Sequence, residues 1–156
     1  MTDRLGPGDG FDPTTTGLIV VDHGSRRAAS NTTFEEYVLA WRGEAGYPIV
    51  EPAHMELAEP SIGTAFDLCV AGGARTIVIT PYFLGPGRHW DRDIPALAAE
   101  AAARHPGVRH LVTAPLGPHP ALMALVEERA RQCLAHASDR APECELCAGT
   151  GRCAWR

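Results

Sequence analysis

The chain has 156 residues, the length of one domain and enough to bury a real core. A net charge of −5 and a pI near 5.8 argue against nucleic acid or an anionic membrane as partner, since those need clustered cations. Every cation is an arginine, no apolar run reaches the roughly 18 residues of a membrane span, and the start MTDRLGPGDGFDPTTT shows neither a signal core nor a transit pattern, so a cytoplasmic protein is expected. Residues 1–16, rich in Gly, Asp, Pro and Thr, read as a flexible leader. Gly17 to Val21 is a short apolar strand, with Asp22-His23-Gly24-Ser25 at its carboxyl end. Phe34, Tyr37, Val38 and Trp41 have helical spacing, with Asn31 or Thr32 as cap and Gly43 as stop. Pro48 to Glu51 reads as a second, shorter strand, and Ala53 to Pro60 as a polar loop. Ser61 caps a helix that buries Ile62, Ala65, Phe66, Cys69 and Val70 and closes at Gly72-Gly73.

Thr76 to Thr80 is β-branched without a break, as a strand buried on both faces requires. After Pro81 come Tyr82 and Phe83, then Gly85-Pro86-Gly87, a loop that delivers His89 before Asp93 and Pro95 open a helix over residues 96–104. Val108 to Ala114 is a fourth strand, and Pro120 starts an amphipathic helix through Leu122, Leu125, Val126, Ala130, Cys133 and Leu134. Strand and helix alternate, which predicts an α/β domain over residues 17–137: a four-stranded, mostly parallel sheet with helices on both faces. Residues 138–156 form a separate cysteine-rich tail. Neither a dinucleotide fingerprint nor a phosphate-binding loop follows the first strand, so nucleotide binding has no support.

In such a sheet ligands sit beyond the carboxyl ends of the strands. His23 and His89 follow the first and third strands, so both fall on that rim. Either histidine alone reads as a loop hydrogen-bonder. As a pair they suit a divalent ion or a proton, and Glu56, with His54, joins them from the loop after the second strand. Two imidazoles and a carboxylate hold a metal loosely enough to release it. Arg27 and Arg42 read as solvated surface, His105 and His110 as exposed, His119 as helix-entry packing and Cys69 as core.

The segments LIVVDHGSR, ELAEPSI, PYFLGPGRHWDRDIP and APLGPHP, in that order between Gly17 and Cys133, closely resemble the CbiX-type sirohydrochlorin chelatases, the class II cobalto- and ferrochelatases. The resemblance implies half of a duplicated chelatase fold that pairs as a homodimer. It also implies a lyase of siroheme, cobalamin or porphyrin biosynthesis that inserts Fe²⁺ or Co²⁺, or Ni²⁺ in some relatives, into sirohydrochlorin without ATP. By motif match the metal-binding and catalytic histidines fall on His23 and His89, and the acidic residue on Glu56. Sirohydrochlorin is a flat apolar macrocycle fringed with carboxylates. Tyr82, Phe83, Leu84 and Trp90 can supply walls for it, and Ser25, Arg26 and Arg88 donors for the fringe. A metal or tetrapyrrole carrier without turnover is the competing reading of the same histidines and thiols.

The tail carries Cys144-x-x-Cys147-x5-Cys153 with Gly149 and Gly151 between, a spacing that bends a chain around a metal or cluster. It is similar to the cysteine-rich C-terminus of plant-type ferrochelatases, which implies an iron-sulfur cluster. Zinc or a disordered thiol tail are the alternatives, and a metal-loaded tail could serve as a redox switch. Cys133, His136 or a partner chain would complete the ligand set.

Overall fold

The computed structural model describes residue 8 and residues 10–155, the side chain of residue 45 excepted. Four strands, β1 (Thr16–Asp22), β2 (Val50–His54), β3 (Thr76–Pro81) and β4 (Arg109–Val112), form one sheet in the order β2-β1-β3-β4. Every pairing in it is parallel. Alternation along the central strands builds two cores. Ile19, Val21, Ile77 and Ile79 point to one face and pack with Phe66 and Cys69 of α2 (Ile62–Ala71) and Ala98 of α3 (Ile94–Ala103). Leu18, Val20 and Val78 point to the other and meet Val38 and Phe34 of α1 (Ala28–Ala45).

The central strands and α2 follow the sequence closely, and Ser61 caps α2 by accepting the Thr64 N–H at 3.2 Å. The edges of the fold differ. β2 starts at Val50 and continues through His54, so His54 is strand and not loop. Pro52 sits opposite Val20 in an edge strand, where a missing N–H is tolerated. Likewise, α1 begins at Ala28, before Asn31, and runs past Gly43 to Gly46, which adopts φ 73°. Asn31 does not cap because its side chain is spent on Ser25, accepting that residue's N–H and donating to its carbonyl, both at 2.8 Å. Ahead of α3 the chain makes a π-helical turn, His89–Asp93.

The leader expected over residues 1–16 lies partly outside the described residues. Its described end is folded: Phe11 is buried against the edge of Tyr47 at 5.4 Å, and Thr16 already belongs to β1. A single aromatic in a polar stretch carries that packing.

The chain divides into two compact units, Met1–Leu116 and Gly117–Arg156. The last helix, α4 (Pro120–Ala137), falls in the second unit together with the tail. His119 enters α4 as its cap, Nδ1 accepting the Ala121 N–H at 3.1 Å.

Candidate functional site

The β1–β2 ladder does not stop at the strand ends. Asp22 accepts the Met55 N–H at 2.8 Å and His23 accepts the Glu56 N–H at 3.2 Å, which sets His23 and Glu56 side by side. His23 Nε2 lies 2.9 Å from Glu56 Oε1. The chain then turns at Gly24, which has φ 85° and lies so close to the Glu56 carbonyl that any Cβ would collide with it. Asp22 Oδ1 accepts the Gly24 N–H at 2.9 Å and so fixes that turn.

From the other side, β3 hands the chain on through a Tyr82 N–H bond to the Val21 carbonyl at 2.7 Å. The glycine loop follows, and the π-helical turn brings the His89 ring 5.1 Å from His23, edge to face at 71°. Asp93 Oδ2, 2.8 Å from His89 Nδ1, accepts its proton and leaves Nε2 as the open ligand atom. His23 is 44% exposed, Glu56 51% and His89 46%, so an ion can reach all three from outside.

His54, placed on the rim from sequence, lies beneath it, fully buried. Its Nδ1 is 2.6 Å from Asp22 Oδ1 and its Nε2 3.1 Å from Glu35 Oε1. Burial pushes this imidazole's pKa down. Hydrogen bonds to Asp22 and Glu35, with their charges, outweigh that, and the pKa is raised.

The expected walls divide. Tyr82 and Leu84 are exposed, and Tyr82 rests on Phe34 with ring centroids 5.5 Å apart. Phe83 packs on the core beneath and approaches His89 at 6.3 Å. Trp90 is half-buried and anchored, its Nε1–H donating to the Thr113 carbonyl at 2.8 Å. Among the expected donors Arg26 and Arg88 are exposed, Arg88 lying 3.8 Å from Asp93, while Ser25 is half-buried with its hydroxyl accepting the Arg27 N–H.

Other expectations need correction. Arg42 is not free surface but bonds Glu51 and the Val50 carbonyl, each at 3.3 Å. His105 is half-buried, stacked on Phe66 and 2.6 Å from Asp67; its bond and then that of Arg104 hold the Asp67 carboxyl low. Cys69 is core as expected, its thiol pushed up to about 12 by burial. Sequence reading missed Asp22, Glu35 and Asn31 as supports. It read Asp93 only as a helix opener, although its position four residues after His89 was a usable signal.

In the second unit the Sγ atoms of Cys133, Cys147 and Cys153 lie within 4.8 Å of one another, with Cys133 and Cys153 3.2 Å apart. Cys144 lies outside this group but hydrogen-bonds Cys147. The neighbouring thiols of Cys147 and Cys133 push Cys153 up to about 12, because a thiolate beside other sulfurs is unfavourable; a bound cation reverses that preference.

A model of the CbiX family matches residues 17–133. The chloroplastic sirohydrochlorin ferrochelatase of Arabidopsis thaliana is 56% identical over 137 residues, which are 88% of this chain and 61% of that protein. The sirohydrochlorin cobaltochelatase of Methanococcus maripaludis is 38% identical over 80 residues, 51% of this chain and 56% of that protein. Among solved structures, the sirohydrochlorin chelatase SirB of Bacillus subtilis subspecies spizizenii in complex with cobalt superposes with a TM-score of 0.70 at 30% identity, covering 75% of this chain and 50% of that one. The chain thus spans between 50% and 61% of the length of these relatives.

Proposed function

The chain belongs to the CbiX family, and from that premise we propose that it is a chelatase that inserts Fe²⁺ or Co²⁺ into sirohydrochlorin without ATP. The observation that carries this is the pair of imidazoles facing each other at 5.1 Å on an open rim, with a carboxylate on one of them. Insertion replaces two pyrrole protons by one divalent ion. His23 and His89 hold the incoming ion as it sheds water, and Glu56, half-exposed beside His23, accepts protons from the ring. Tyr82, Phe83, Leu84 and Trp90 wall the macrocycle, and Ser25, Arg26 and Arg88 meet its carboxylates.

Anaerobic mixing of the protein with sirohydrochlorin and Fe²⁺, Co²⁺ or Ni²⁺ in parallel, followed by absorbance, tests the proposal and ranks the metals. The expected result is many turnovers per chain, with His23→Ala and His89→Ala each lowering the rate about 100-fold. A wild-type rate equal to the protein-free control refutes the activity. One equivalent of product or bound tetrapyrrole per chain identifies a carrier instead.

We place an iron-sulfur cluster on Cys133, Cys144, Cys147 and Cys153. Three convergent thiols, with Cys144 hydrogen-bonded to one of them, are the donor chemistry that supports it, and when bound it supplies a structural or redox role. Zinc is the second reading, and iron, sulfide and zinc analysis separates the two. We also place the protein in the cytoplasm as a homodimer. Five free thiols support a reducing compartment, and no helix among the described residues is long and apolar enough to cross a membrane. Pairing is supported by the chain's match to half of a longer chelatase.

A further inference from the structure

We propose that His54 is a positioning residue for the insertion site: through Asp22 it fixes the turn that presents His23, and through Glu35 it ties that turn to α1. The inference rests on the reading of His23 as a metal-holding residue. Asp22 and His54 are register partners at the ends of β1 and β2, and Asp22 Oδ1 takes both the His54 ring at 2.6 Å and the Gly24 N–H at 2.9 Å. Moving His54 therefore moves the acceptor that holds the His23-Gly24 turn. From the opposite side Glu35 holds His54 Nε2 at 3.1 Å, while Asn31, one turn earlier on α1, grips Ser25 through two bonds. Residues on both sides of Gly24 are thus tethered to the same helix.

Packing alone does not call for this arrangement. The ring is fully buried and tilted against Phe34 at 5.8 Å, where an apolar side chain would pack without needing polar partners. The histidine instead satisfies two carboxylates from different elements, with Glu59 from the loop after β2 as the remaining acidic neighbour. A buried polar link of this kind fixes one geometry.

The two ring nitrogens can be tested apart. His54→Asn keeps an amide where Nδ1 meets Asp22, and His54→Gln keeps one where Nε2 meets Glu35. Metal binding is read first with Co²⁺ alone, from the absorption bands that His23→Ala and His89→Ala abolish, which separates the rim from Co²⁺ on the thiols of the second unit, and then as the KM for metal in the insertion assay, with thermal unfolding of each variant. His54→Asn keeps the bond that fixes the turn and loses only the tie to α1, so it is expected to lose less, within about 3-fold of wild type in both. His54→Gln is expected to weaken Co²⁺ binding and raise the metal KM about 10- to 100-fold, with a smaller change in kcat. Equal losses in the two variants that track their melting temperatures overturn the proposal, as does wild-type Co²⁺ affinity in His54→Gln. Should His54→Gln not fold, Asp22→Ala reads the same bond: weakened Co²⁺ binding supports the proposal and unchanged binding overturns it. A wild-type protein that binds Co²⁺ but never inserts it refutes the activity while leaving the comparison of Co²⁺ affinities valid.

Discussion

A histidine binds metal better when its other nitrogen is held, and His89 meets that condition through Asp93 at 2.8 Å. Asp93→Asn keeps the shape of the side chain but weakens the acceptor, so Co²⁺ affinity measured by titration should fall about 10- to 100-fold, with little change in melting temperature because Asp93 is a third exposed. His54 makes a second prediction, about pH. Its pKa is raised in the folded chain by Asp22 and Glu35 against the opposing effect of burial, so its stabilising contribution is complete below the ordinary value of 6.5. That contribution disappears as pH rises through the higher folded value. Melting temperature should therefore drop more steeply above neutral pH in the wild type than in His54→Gln, and parallel curves would show that the ring carries no such linkage. At this scale the two imidazoles that meet on the rim were legible in the sequence, because His23 and His89 follow strand ends beside glycines. Their supports were not: the Asp22–His54–Glu35 contacts join residues 32 and 19 positions apart in sequence, and only the β1–β2 register and the placement of α1 bring them together.

Among the elements, the segment from β3 to α3 has the most to hold in place. It leaves the sheet at Pro81, crosses a glycine loop, and must deliver His89 within 5.1 Å of the His23 ring, just past the end of β1. Two contacts fasten it: the Leu116 N–H bonds the Phe83 carbonyl at 2.9 Å, and Trp90 Nε1–H bonds the Thr113 carbonyl at 2.8 Å. The second sits one residue from His89, so Trp90→Phe should cost about 1 kcal/mol of stability from the lost hydrogen bond. Turnover should fall with it, and thermal unfolding beside the insertion assay checks both. A full rate in Trp90→Phe would show that the π-helical turn holds His89 unaided. The sequence revealed β1 and β3 readily because Leu18 to Val21 and Thr76 to Thr80 are apolar or β-branched without a break, the mark of strands covered on both faces. β2 was misplaced because Pro52 looks like a loop residue until the strand is known to be at the edge. α1 was cut short because Asn31 resembles a cap and Gly43 a stop, yet the helix continues through both.

At the scale of the molecule, α4 presents an apolar stripe among the described residues. Met123, Val126, Ala130 and Leu134 recur at helical spacing, and none of them is buried: Met123 is 65% exposed, Val126 60% and Leu134 50%. An apolar stripe of that kind is stable in water when another surface covers it. The chain also covers only 50% of the SirB chain, and in the homodimer proposed above a second copy would supply the rest. Sedimentation should therefore return twice the 16.7 kDa chain mass. Val126→Glu puts a charge in the stripe at an exposed position, where it costs the individual chain little, within about 0.5 kcal/mol. Within a dimer the same charge would be buried without a partner, at a cost of several kcal/mol. The variant should thus melt cooperatively but sediment at the single-chain mass, and its insertion rate should fall if the second copy completes the macrocycle site. A wild-type chain that sediments alone and still inserts metal would show that one sheet and one rim suffice.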